Sequence, residues 1–83
     1  MSCERLTKAS KKTIGSKQTL KAIEQGQAQV VYIAKNAERH VVEPIVENCV
    51  AKGVELIEVD TMLYLGKACG IEVGCASAAI IMD

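Results

Sequence analysis

The sequence has no phenylalanine and no tryptophan, and only two tyrosines, one histidine and one proline. Tyr32 and Tyr64 are too few to stack several bases on an aromatic sheet face, which excludes that mode of nucleic-acid binding. Long apolar runs are missing too. The uncharged stretch Gly74 to Met82 falls far short of the ~20 residues a spanning helix needs. No basic-then-apolar secretion signal opens the chain, so a soluble, cytoplasmic protein with no membrane partner is expected. Paired cysteine spacing is absent as well. Cys3, Cys49, Cys69 and Cys75 lack the two-residue gaps of a zinc ribbon or a redox motif. A Cys–His nucleophile pair would have to use His40, inside the charged Glu38-Arg39-His40 segment, with no third group to orient it. No catalytic residue, metal or cofactor is therefore expected. The cysteines read as small hydrophobes, reduced in a reducing compartment.

What is present is a chain of 83 residues, 49% apolar and 24% charged, enough for one small domain over residues 1–83. A chain this short buries only about 60% of its unfolded surface, so its core is thin. The net charge is zero but unevenly spread. Residues 1–21 carry six cations against Glu4, a balance of +5, and residues 22–83 carry four cations against nine acids, a balance of −5. A neutral protein attracts a polyanion poorly at long range, yet a basic pole suits a localised phosphate contact.

No internal repeat, linker or low-complexity stretch interrupts the chain. Residues 4–11 read as a short basic helix and Thr13-Ile14 as a brief strand. Ser16 then reads as the N-cap of a helix over 17–25, closed by Gly26. Residues 29–34 form a β-branched run typical of a buried strand. A helix over 39–52 ends at Gly53, and Pro44 fits it only in a first turn or at a kink. Residues 54–59 read as a strand, Asp60 or Thr61 as the cap of a helix running to Cys69, and Ser77 to Met82 as a last strand. The pattern predicts an α/β fold, a three-layer α/β/α sandwich on about four strands. The strand order does not follow from it.

Two segments carry candidate chemistry. In Gly15-Ser16-Lys17-Gln18-Thr19-Leu20-Lys21, helical spacing puts Lys17, Gln18, Lys21 and Gln25 on one arc of about 100°. Two lysines at i and i+4 repel by roughly 0.2–0.5 kcal/mol, and cations near a helix N-terminus oppose its dipole. A bound anion would remove both penalties, and the Gln18 amide can read a base edge. The second segment is Leu65-Gly66-Lys67-Ala68-Cys69-Gly70-Ile71-Glu72-Val73-Gly74. It is no P-loop, because Thr61 stands where the first glycine belongs and Ala68 where Ser or Thr does. Ile71 and Val73, in a glycine-flanked loop, either pack on the core or await a partner.

Together these segments resemble the kink-turn-binding ribosomal protein family of the archaeal large-subunit L-seven-Ae type, and the small bacterial RNA-binding relatives most. The resemblance spans roughly residues 3–82, and its second motif is the more specific. It implies an α/β/α sandwich that binds structured RNA, such as ribosomal or riboswitch RNA, at kink-turns, where tandem sheared G·A pairs follow a short bulge. By position it implies that Lys17, Gln18 and Lys21 contact guanines and phosphates in a widened major groove. Gly15 and Ser16 would allow close backbone approach, and Lys67 would reach the RNA backbone. Ile71, Glu72 and Val73 would cover an extruded bulge base. Where many archaeal and eukaryotic relatives have Asn-Glu, this chain has Lys17-Gln18, replacing an acceptor-only carboxylate by an amide that also donates. Gly74 stands where relatives often have Pro or Ala. A monomer with no DNA partner is expected. A protein–protein interaction module on the same fold is the alternative, supported by the acidic balance of residues 22–83.

Overall fold

A computed structural model describes residues 3–82. Its elements are α1 (Glu4–Lys8), β1 (Lys12–Ile14), α2 (Ser16–Glu24), β2 (Ala28–Ala34), α3 (Arg39–Lys52), β3 (Glu55–Val59), α4 (Met62–Ala68) and β4 (Ser77–Ile81). They form one mixed sheet in the order β1-β4-β2-β3. The pair β2–β3 is parallel, while β4 runs antiparallel to both β1 and β2.

Alternation along β2 divides the interior into two cores. Val30, Tyr32 and Ala34 face one side, with Leu6 of α1, Leu65 of α4, and Cys3, Cys69 and Cys75. Val31 and Ile33 face the other side, with Ala22 and Ile23 of α2 and with Ile45 and Cys49 of α3. The architecture is therefore the three-layer α/β/α sandwich on four strands that the sequence pattern implies. Strand composition matches strand position. Ala28–Ala34 and Ser77–Ile81 carry no charge and lie in the centre, whereas β1 carries Lys12, and β3 exposes Glu55 and Glu58. Charges on edge strands discourage pairing with a second sheet.

One local reading needs correction, and two that were left open are narrowed. The first helix ends at Lys8, not at residue 11, because the Lys12 ammonium donates to the carbonyls of Leu6 (3.1 Å) and Thr7 (3.4 Å). A continuing helix would have used those carbonyls for the N–H groups of Ser10 and Lys11. Pro44 lies beyond the first turn of α3, as the sixth residue of the helix. Between Asp60 and Thr61, the cap is Thr61, whose hydroxyl accepts from the Tyr64 N–H at 3.0 Å.

The cysteines are free and buried, and burial raises the pKa of Cys3 and Cys49. Cys69 is raised by its hydrogen bond with Cys75 and then by burial. Raised values keep Cys3, Cys49 and Cys69 protonated and unreactive at neutral pH, whereas the hydrogen bond with Cys69 lowers Cys75. Among the described residues, no group of three or more His, Cys, Asp or Glu side chains could hold a metal ion. No helix among them is long and apolar enough to cross a membrane.

Candidate functional site

The turn before α2 is built from backbone. Gly15 is the N-cap, at φ +99°, a backbone conformation that residues other than glycine rarely adopt. Ser16 is not the cap. It is the first helical residue, and its hydroxyl hydrogen-bonds the Ser77 hydroxyl at 2.9 Å instead of a helix N–H. The first bond into the helix runs from the Thr19 N–H to the Gly15 carbonyl at 3.0 Å. The N–H groups before it point out of the helix end.

Helix α2 buries Thr19, Ala22 and Ile23 and exposes Lys17, Gln18, Lys21 and Gln25. The Thr19 hydroxyl meets that of Thr13 at 2.9 Å, which ties the helix to β1. The exposed arc is the one that helical spacing predicts. One electrostatic expectation changes. The helix has nine residues, so Lys21 lies in its last turn and favours the dipole, leaving Lys17 alone to oppose it.

The second segment folds as α4 followed by a loop over residues 69–76. Gly66 is buried, and a Cβ there would overlap the Val73 carbonyl oxygen, so α4 rests directly on the loop backbone. Two further bonds hold the loop in place: Ile71 N–H to the Gly66 carbonyl, and Cys75 N–H to the Met62 carbonyl, both 3.0 Å. Gly74 lies tightly against Met62, where a Cβ would stand 3.2 Å from the Met62 Cβ. The two branched residues divide. Ile71 packs partly against the core, whereas Val73 remains 66% exposed, beside exposed Glu72. Lys67 is exposed on α4.

One buried residue joins the two segments. Ser77 accepts at its carbonyl from the Gly15 N–H and from the Cys75 thiol, both at 2.9 Å, besides bonding the Ser16 hydroxyl. Gly15, Ser16 and the end of the loop thus meet at the start of β4, about sixty residues apart in sequence. Ser77 was missed as a site residue by sequence reasoning. Its only signal is a hydroxyl opening an otherwise apolar strand. Asn36 was missed likewise: its side-chain carbonyl accepts from the Met62 N–H at 2.8 Å and fixes the start of α4.

Comparison with known proteins now decides the family. The model of the ribosomal protein L7Ae/L30e/S12e/Gadd45 family matches residues 2–83. The chain belongs to that family. It is 50% identical over 72 residues to the RNA-binding protein TTE2299 of Caldanaerobacter subterraneus, covering 87% of this chain and 88% of the relative. It is 40% identical over 68 residues to the large ribosomal subunit protein eL8 of Halobacterium salinarum, covering 81% of this chain and 57% of that one. Among solved structures, it matches the Giardia lamblia 15.5kD RNA binding protein with a TM-score of 0.86 at 26% identity. That match covers 98% of this chain and 68% of the other. As a member of the L7Ae family the chain is a non-enzymatic protein.

Proposed function

We propose that this L7Ae-family protein binds structured RNA at kink-turns, as a monomeric cytoplasmic unit formed by residues 1–83 with no cofactor. The observation that carries the reading is the junction at Ser77, which puts the cationic face of α2 and the exposed Val73 loop at one end of the sheet. Relatives named as RNA-binding proteins support it. The major groove of ordinary A-form RNA is too narrow for side chains. A sharp bend that widens the groove admits α2, with Lys17 and Lys21 on phosphates and Gln18 on a guanine edge. Gly15 and Ser16 let the backbone come close. Lys67 reaches the neighbouring strand, and Ile71, Glu72 and Val73 cover an extruded base. Ribosomal and riboswitch RNAs are the substrates of this class; DNA is not.

The test is affinity for a kink-turn oligonucleotide against one whose sheared G·A pairs are replaced by Watson–Crick pairs. The kink-turn binds selectively, and raising salt from 50 to 200 mM weakens it by about 20- to 40-fold if three lysines neutralise phosphates. Equal affinity for both RNAs refutes the reading. Binding to neither leaves the protein–protein module as the better account.

Val73 tests the loop separately. Val73→Ala is expected to shift stability by less than about 0.5 kcal/mol, because the side chain is exposed. It weakens binding to a kink-turn that carries the bulge nucleotide more than to one without it, with a coupling on the order of 0.5–1 kcal/mol. A large fall in melting temperature with no coupling would assign Val73 to the core.

A further inference from the structure

Four cations of the basic N-terminal segment take no part in the site above: Arg5, Lys8, Lys11 and Lys12. Lys12 is committed to closing α1. The other three line a shallow groove of about 450 Å³ between α1 and the strands, floored by Ile80 and Ile81. No acidic residue lines it. Arg5 meets Glu55 at 3.4 Å and Lys8 meets Glu4 at 3.5 Å, but all four side chains are more than half exposed. Such pairs contribute little and exchange readily for a stronger anion.

The position of the groove identifies its ligand. Ile81 also lines a second hollow, of about 270 Å³, on the other side of β1, together with Gln18 and Lys21 of α2. That hollow has no acid in its lining either. The two share Ile81, have no acid in their linings, and flank the three-residue edge strand that separates them, with Arg5, Lys8 and Lys11 on one side and Lys21 on the other. Lys11 and Gly15 are four residues apart along extended chain, so the groove begins roughly 13 Å from the α2 cap. An RNA seated at α2 carries a helical stem out of the bend, with regularly spaced phosphates on its ridge.

We propose that Arg5, Lys8 and Lys11 form a second phosphate-contacting surface that tracks the backbone of a helical stem flanking the bound RNA motif. This rests on the RNA-binding reading of α2 and extends it to a part of the molecule neither motif includes. The surface is blind to sequence, since phosphate contacts position a protein without specifying bases. It adds affinity only for RNAs whose flanking stem is long enough to reach it.

The test compares a minimal kink-turn with two RNAs, each extending one flanking stem to about ten base pairs. Lys8→Gln/Lys11→Gln is expected to leave the minimal RNA bound as before. On one of the extended RNAs it lowers the salt slope by about 1.4–1.8, the value for two lost phosphate contacts. Lys8→Arg/Lys11→Arg, which keeps the charge, retains wild-type binding. An unchanged slope on both extended RNAs overturns the proposal, as does an equal loss on the minimal RNA or a loss in the arginine variant. Lys21→Ala separates this from failure of the primary site. If it weakens the minimal RNA while the groove variant does nothing, the site stands and the groove falls. If neither substitution matters on any RNA, the RNA-binding reading falls and the groove with it.

Discussion

Gly66→Ala is expected to destabilise the protein by about 1–3 kcal/mol, in the opposite direction to the helix propensity of the two residues. Alanine is favoured over glycine inside a helix by about 1 kcal/mol, so a free-standing α4 would gain from the change. Here the new Cβ overlaps the Val73 carbonyl oxygen and lies 3.1 Å from the Val73 carbonyl carbon and 3.5 Å from the Gly74 Cα. All three are backbone atoms, so no rotamer change relieves the clash. The loop cannot retreat cheaply either, because doing so breaks the bonds from Ile71 to Gly66 and from Cys75 to Met62. For a domain of this size the cost corresponds to a fall in melting temperature of roughly 4–20 °C. The folded fraction should also bind a kink-turn more weakly, since the segment that moves carries Glu72 and Val73. A rise in melting temperature would show that α4 and the loop are not in contact.

That contact also marks the limit of what the sequence discloses. The order and type of the elements follow from periodicity and glycine punctuation, because those signals are local. The apolar runs at 29–34 and 77–82 also mark those two strands as buried. What the residues do not reveal is that β4 inserts between β1 and β2, since those pairings join residues between 44 (Ile33 to Ser77) and 68 (Lys12 to Ile80) positions apart in sequence. The misread cap has the same origin. A serine before a helix ordinarily caps it, but Ser77, supplied by the last strand, takes the Ser16 hydroxyl and leaves Gly15 to cap through its backbone.

The candidate site was legible unevenly, for a physical reason. The cationic arc of α2 needs only the helical repeat, and the structure exposes those same side chains. The division between half-buried Ile71 and exposed Val73 depends on the core beneath the loop, which no local pattern encodes. The assignment of the arc to RNA came from resemblance to a family. A solvated basic helix would show the same spacing.

Lys21→Ala distinguishes those two meanings of the same lysine. As part of a solvated face, Lys21 contributes two small opposing effects to stability. Its repulsion from Lys17 at i,i+4 costs roughly 0.2–0.5 kcal/mol, and its place in the last turn of α2 returns a comparable amount through the helix dipole. Replacement by alanine, a good helix former, therefore leaves the melting temperature nearly unchanged on either meaning. Binding separates them. A lysine that reaches a guanine edge or an adjacent phosphate loses about 1–3 kcal/mol on truncation, a 5- to 150-fold fall in affinity at fixed salt. If its partner is a phosphate, the salt slope also falls by roughly 0.7–0.9 and the loss is uniform across kink-turn sequences. If its partner is a guanine, the slope holds and the loss shrinks on RNAs whose G·A pairs are altered. Full affinity and an unaltered slope in the alanine variant would return Lys21 to the solvated face and remove α2 from the RNA interface.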